Sequence, residues 1–336
     1  MSRLLLPLIL LAALTAPAPA KDLRVYFIDV EGGQATLVVA PSGQSLLIDA
    51  GYSGFEGRDA GRILVAAREA GIRRIDYLLV THYHADHVGG VPGLAAKFPI
   101  LHFVDHGPPV EASPTVRDAF AAYQQVREKG QHILAEPGNR IPVAGLDIKI
   151  LSSAGRVIQA PLVGAGQPNA LCARTARLPE DAGENSQSVG VLITYGRFRL
   201  LDLADLTWDK ELELVCPTNR IGLVDVYVMT HHGGSGSGSA ALVQALRPRI
   251  AVMNNGAEKG GTPATWQVVR DSPGLQDIWQ LHFSVEGGPA HNAPEQFIAN
   301  PKEPCRGFEL RLKALPDGSF TVTNARSGFT KRYNPR

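Results

Sequence analysis

The segment Thr81-His82-Tyr83-His84-Ala85-Asp86-His87 gathers three imidazoles and one carboxylate within six positions. Imidazole nitrogens with a carboxylate oxygen suit a borderline divalent ion, zinc first, with iron or manganese as alternatives. The spacing carries more than the count. His82 and His84 lie two apart, so in an extended segment both turn to the same side, whereas adjacent Asp86 and His87 diverge around the turn that follows and reach a second ion. One short segment can thus seed two metal sites. Isolated histidines in a polar loop would not need this spacing.

Elements on either side must hold that segment still. Leu23–Val30, Ala35–Ala40 and Ser45–Ile48 are β-rich runs separated by Gly-Gly and Pro-Ser-Gly, and they read as a strand meander ending at Asp49-Ala50-Gly51. Helical spacing over Gly57–Ala70, with Ile63, Leu64, Ala67 and Ala70 on one face, predicts a helix that Gly71 stops. A buried strand at Asp76–Val80 then delivers the histidine cluster, and Gly89-Gly90 leads to a short helix near Leu94–Lys97. Further on, a strand near Ile100–Val104, a helix at Val116–Lys129 and a strand pair near Ile141–Leu151 are expected. The second half is patterned like the first, with a hairpin of Val189–Tyr195 and Arg197–Leu203, a helix from Trp208, a buried strand Val224–Met229 ending at His231-His232, a helix Ala240–Leu246 and a strand Ile250–Met253. Phe308–Leu315 and Ser319–Asn324 close the chain as a hairpin. Strand and helix alternate, which predicts an α/β layered architecture. Residues 155–186 and 255–307 lack periodicity and read as long irregular insertions, of the kind that carry substrate contacts.

The run Thr81-His82-x-His84-x-Asp86-His87-Val88-Gly89-Gly90, with Leu47-Ile48-Asp49-Ala50-Gly51 upstream, resembles the metallo-β-lactamase superfamily in nearly the whole chain and in the right order. The resemblance implies a four-layer αββα sandwich, two divalent metal ions, and a set of ligands completed further along the chain. Asp205, after small Ala204, matches the aspartate that bridges the metals, with Asp202 as its competitor and a helix-capping role as the plainer alternative. His232, in Met229-Thr230-His231-His232-Gly233, matches the histidine of the second metal. His231 would line the site, protonating a leaving group or holding a phosphate. One departure stands out, because the segment Glu184-Asn185-Ser186-Gln187-Ser188 has no histidine where the first metal usually takes its third. Asn185 is then a weak ligand, with Glu184 or a water as substitutes; His102, His106 and His132 fall at the wrong places and read as surface or packing residues. The expected metal ligands are therefore His82, His84, Asp86, His87, Asn185, Asp205 and His232.

Such a pair of ions activates a water between them as hydroxide and polarises the scissile bond, so the implied reaction is hydrolysis, with Asp86 also able to take the proton. The His231-His232-Gly233 form, followed by Gly234-Ser235, resembles the branch of competence-protein nuclease domains and bacterial phosphorylcholine esterase, which implies a phosphodiester substrate. A β-lactamase or lactonase acting on a carbonyl is the alternative, and a non-catalytic binding protein on the same scaffold is a third. Trp266, His282, His291 and Asn292 are candidates for substrate contacts, with ordinary packing as the bland alternative for each.

Bulk properties narrow the setting. Arg3, the apolar run Leu4–Leu14 and Ala18-Pro19-Ala20 read as an export signal over residues 1–20, which predicts a periplasmic or secreted protein with no stable membrane insertion after cleavage. Removing Arg3 turns 33 basic against 32 acidic residues into 32 against 32. A neutral chain has no large field to draw in a polyanion, so the charge does not support nucleic acid as a partner and favours a small-molecule or phosphodiester substrate. Cys172, Cys216 and Cys305 allow one disulfide and one leftover thiol in an oxidising compartment, and the pairing stays open. The oligomeric state is not legible.

Overall fold

A computed structural model describes residues 22–336; the expected signal over 1–20 lies outside the described residues. Two nine-stranded sheets make the body of the molecule. The first runs, edge to edge, Thr330–Tyr333, Phe320–Asn324, Leu310–Ala314, Leu23–Phe27, Thr36–Val39, Ser45–Ile48, Ile75–Leu79, Ile100–Asp105 and Gln131–Leu134. The main path of the second runs Ile298–Asn300, Asp277–His282, Ile250–Met253, Val226–Val228, Phe198–Asp202, Gly190–Tyr195, Asp147–Ser153 and Arg140–Ile141.

Alternation along the strands assigns each side chain to a layer. Val25 and Phe27, Leu46 and Ile48, Val226 and Val228, and Ile250 and Val252 meet between the two sheets in one buried core. The residues between them turn outward: Tyr26 and Leu47 pack beneath the helices Arg58–Glu69 and Pro114–Arg127, while Tyr227, Ala251 and Met253 pack beneath the helices Ala240–Leu246 and Pro263–Arg270. Strands buried on both faces read as continuous apolar runs, which is why they were conspicuous in the sequence. The result is the expected helix–sheet–sheet–helix sandwich.

Parallel pairing then sets the site. Ser45–Ile48 runs parallel to Ile75–Leu79, and Phe198–Asp202, Val226–Val228 and Ile250–Met253 run parallel to one another. Parallel strands end on the same side, so the residues just past them are brought to one rim. Those residues are Asp49, His82, Asp205, His232 and Asn254.

Some expectations need correction. Residues 255–307 are not irregular throughout, since they contain the helix Pro263–Arg270 and the strands Asp277–His282 and Ile298–Asn300 that extend the second sheet. Thr262-Pro263 opens that helix, proline being suited to the first helical position because it lacks an N–H that would go unpaired there. The short helix expected near Leu94–Lys97 is two, Ala85–Val88 and Val91–Ala95, and Thr330–Tyr333 adds an edge strand beyond the final hairpin. Cys172 and Cys216 form a disulfide that ties the 155–186 segment to the helix Trp208–Val215, leaving Cys305 free. Among the described residues no helix is long and apolar enough to cross a membrane.

Candidate metal centre

The cluster segment is clamped by its backbone before its side chains do anything. Gln34 N–H donates to the Asp86 carbonyl at 3.0 Å, Ala50 N–H to the His87 carbonyl at 2.8 Å, and Gly90 N–H to the Gly51 carbonyl at 2.9 Å. A side chain at position 90 would put its Cβ 2.0 Å from the Ala50 carbonyl oxygen, so glycine is what permits this approach. Four residues other than glycine around the rim take positive φ, namely Asp49 (58°), Ala204 (51°), His231 (55°) and His232 (56°). Backbone held in this region costs of order 1–3 kcal/mol per residue and is found where the fold must aim a side chain.

Asp86, His87, Asp205 and His232, all buried, offer ligand atoms within 4.8 Å of one another. His87 Nε2 lies 3.2 Å from Asp86 Oδ2 and 3.3 Å from Asp205 Oδ2. His232 Nε2 lies 3.2 Å from Asp86 Oδ2 and 3.4 Å from Asp205 Oδ1. Despite this proximity, His87 Nε2, His232 Nε2 and Asp205 Oδ1 are buried and make no hydrogen bond. Polar atoms left unpaired in a protein interior cost about 1–3 kcal/mol each. Three of them facing one point fit a cation, and the donor set of imidazole nitrogen and carboxylate oxygen fits a divalent metal.

The outer faces of these rings are fixed. His87 Nδ1 is 2.7 Å from Asp49 Oδ2, whose two oxygens also accept from the Thr81 hydroxyl at 2.6 Å and the Thr81 N–H at 2.8 Å. His232 Nδ1 is 3.2 Å from the Asn254 carbonyl oxygen. An imidazole held at Nδ1 by a carboxylate or carbonyl presents Nε2 as the ligand. Burial works against charge on His87, yet Asp205, Asp86 and Asp49 outweigh it and hold its pKa well above the ordinary range. His82 goes the other way, held well below by burial and then by His87.

The remaining expected ligands are placed more loosely. His82 Nε2 is 3.1 Å from His84 Nδ1 and 4.0 Å from Asp205 Oδ2. His84 Nε2 faces Glu111 Oε1 at 3.5 Å. Asn185 Oδ1 is buried with no hydrogen-bond partner, as a weak ligand oxygen would be. Glu184 is excluded as its substitute, because its carboxylate already accepts from Val110 N–H at 2.6 Å and Tyr83 N–H at 3.2 Å and lies 3.1 Å from His106 Nε2. His106 is therefore a buried partner of Glu184 and no surface residue. Asp202, the competitor of Asp205, takes Gln34 Nε2 at 2.9 Å and Ala204 N–H at 3.0 Å and does not join the cluster. His231 Nε2 stands 3.6 Å from Asp205 Oδ2 with its side chain 31% exposed, as open as that of His84.

Substrate candidates fare worse. His282 is buried between Asp29 (2.7 Å) and Glu303 (3.0 Å), and Asn292 holds Ser284 N–H (2.8 Å) and Gln280 Nε2 (2.7 Å). Trp266 is buried beneath the second sheet, with His291 edge-on to it at 5.7 Å. His282 and Asn292 are thus engaged within the fold, and Trp266 is buried. A residue not expected from the sequence, Lys259, stands here instead: its ammonium contacts Asp86 Oδ2 and lies 3.2 Å from the Tyr52 hydroxyl. Its signal was available, since Lys259 sits in Gly256-Ala257-Glu258-Lys259-Gly260-Gly261, a glycine-rich loop directly beyond a parallel strand.

Residues 28–166 match the model of the metallo-beta-lactamase superfamily. The ComE operon protein 3 of Bacillus subtilis (strain 168) is 23% identical over 259 residues, covering 71% of this chain and 29% of that protein. A hydroxyacylglutathione hydrolase of Stenotrophomonas maltophilia (strain R551-3) is 32% identical over 105 residues, 31% of this chain and 37% of that one. The chain thus spans about a third of the length of these relatives. Among solved structures, CmlA, a diiron beta-hydroxylase from Streptomyces venezuelae, is similar at a TM-score of 0.48 and 16% identity, covering 79% of this chain and 54% of that one.

Proposed function

We propose that this protein is an exported hydrolase of phosphodiesters that works with two divalent ions, zinc first and manganese or iron as alternatives. The observation that carries the metal is the convergence of His87 Nε2, His232 Nε2 and Asp205 Oδ1, buried and without hydrogen bonds. When bound, paired ions polarise the phosphoryl oxygen and make water acidic enough to attack at neutral pH. The chain's own residues do the positioning. Asp49 and the Asn254 carbonyl hold two rings so that Nε2 points inward. His231, half-exposed, would hydrogen-bond a phosphate oxygen or the departing one; burial keeps its pKa below the ordinary value. Asp86 Oδ2, 3.2 Å from both His87 Nε2 and His232 Nε2, would hold an ion and could also take a proton from the attacking water.

Support for a phosphodiester comes from the His231-His232-Gly233 form, followed by Gly234-Ser235. The Cys172–Cys216 disulfide supports export, since such bonds persist in oxidising compartments. Hydrolysis of a carbonyl ester, lactone or lactam is the second reading, favoured by the hydroxyacylglutathione hydrolase match. Metal-loaded protein assayed on bis(p-nitrophenyl) phosphate, nitrocefin and a lactone decides between them. Turnover of the phosphodiester alone is expected; turnover of a carbonyl substrate with the phosphodiester untouched would move the assignment to the second reading.

A further inference from the structure

A cleft of about 530 Å³ opens beside the metal centre, between the 52–57 loop, the paired short helices that follow His84, and the helix Pro114–Arg127. Its walls are made largely of small side chains and backbone, with Ala85, Gly93, Ala119 and Ala122 among them, and Asp118 is the one charged group on its lining. That volume lies within the range of small-ligand pockets, and walls of this kind suit a flat or aliphatic group better than a second anion.

Two residues join the cleft to the site. Ala85 lies between His84 and Asp86. Tyr52 lines the cleft, while its hydroxyl is 3.2 Å from Lys259 Nζ, and that ammonium is 5.6 Å from the centre of the Tyr52 ring. Lys259 in turn touches Asp86 and keeps 41% of its side chain exposed, so one cation stands between the cluster and the Tyr52 ring that lines the cleft. An anionic oxygen and an apolar substituent on one small molecule would meet these two features together, across the Tyr52 ring.

We infer that Lys259 and Tyr52 receive an anionic oxygen of the substrate while its apolar alcohol portion lies in the cleft lined by Ala85, Gly93 and Ala122, which makes the substrate a small ester carrying an aromatic or aliphatic group. The inference rests on the phosphodiester reading and narrows it. A cleft lined by small side chains, with its nearest cation across the Tyr52 ring, does not track a polynucleotide backbone, which needs a basic groove and exposed aromatic platforms.

The test is calorimetric titration of the metal-loaded protein with phenylphosphonate and methylphosphonate. Phenylphosphonate binds the parent protein about tenfold or more tighter, the return expected from burying a ring. Filling the cleft with Ala122→Trp removes that preference. Gly93→Leu is the second cleft variant, because position 93 has open space around it, the nearest foreign atom to an added Cβ being Ala60 Cβ at 3.8 Å. Lys259→Met weakens both ligands by about tenfold, as loss of a charge-assisted contact should. Equal affinities in the parent protein, or a phenyl preference that survives both cleft variants, would overturn the inference. Its fate is separable from that of the phosphodiester reading, which falls if no phosphodiester is turned over whatever the phosphonates do.

Discussion

Two buried knots of histidine and carboxylate occupy this molecule, and they differ in what they leave unpaired. At the metal centre, His87 Nε2, His232 Nε2 and Asp205 Oδ1 have no hydrogen bond. At the second knot, Asp29, His282 and Cys305 also bring possible ligand atoms within 4.8 Å of one another, yet each is engaged. Asp29 faces His282 Nε2 at 2.7 Å and accepts from Arg62 at 3.0 Å and Glu31 N–H at 2.8 Å, and the Cys305 thiol points at its Oδ2 from 3.4 Å. Burial and the charge of Asp29 push that thiol up to about 12, far from the thiolate a metal needs. Residue types alone would make both knots metal sites. Unsatisfied atoms distinguish a site awaiting a cation from one already neutralised by Arg62.

Substitution puts the difference between the knots at risk, starting where the effect is largest. Asp205→Ala should remove metal from the first knot and lower phosphodiester turnover by about a thousandfold or more, read by elemental analysis and steady-state kinetics. Retained metal and turnover would show that the unpaired atoms were no guide. At the second knot, His282→Ala leaves Asp29 with Arg62 but without its imidazole partner and should cost about 1–3 kcal/mol in denaturant unfolding, with metal content unchanged. A loss of metal there would erase the distinction between the knots.

How much of this was visible in the sequence depends on distance along the chain. The motif at 82–87, and the elements on both sides of it, were legible because strand alternation and motif spacing are local. Asp205 and His231-His232 were legible by resemblance and by their place after apolar strands. What escaped was pairing between remote segments. Glu184 with His106, and Lys259 with Asp86, lie 78 and 173 residues apart, and although the loop of Lys259 carries a local signal, neither partner is announced by one. The edge strand Gln131–Leu134 was missed because three of its four residues are exposed, leaving no apolar alternation to read.

Smaller effects refine the contrast between paired and unpaired buried groups. Burial, against hydrogen bonds from the Ser239 and Gly238 N–H groups, pushes the Glu211 carboxyl from an ordinary 4.5 up to about 7. A native state that keeps this proton longer than the unfolded chain loses stability as pH rises through that interval. Glu211→Gln should therefore flatten the stability profile between those values, by about 3 kcal/mol across them. Denaturation at about pH 4 and about pH 8 reads the change in slope, and an unaltered slope would mean that Glu211 ionises as freely as in the unfolded chain. Asp49→Asn keeps the shape but weakens the grip on His87 Nδ1, and should cost about 10–100-fold in metal affinity, measured by competition with a chelating dye. A variant that binds as tightly as the parent would show that His87 needs no partner behind it.

Whether the unpaired cluster is the metal centre is tested most directly by the metal content of the purified protein beside its Asp205→Ala and His282→Ala variants, measured after exhaustive dialysis. The expected result is about two ions per chain in the parent protein, a sharp fall in Asp205→Ala and no change in His282→Ala. A parent protein that retains no metal, or an Asp205→Ala variant that retains as much as the parent, would contradict it.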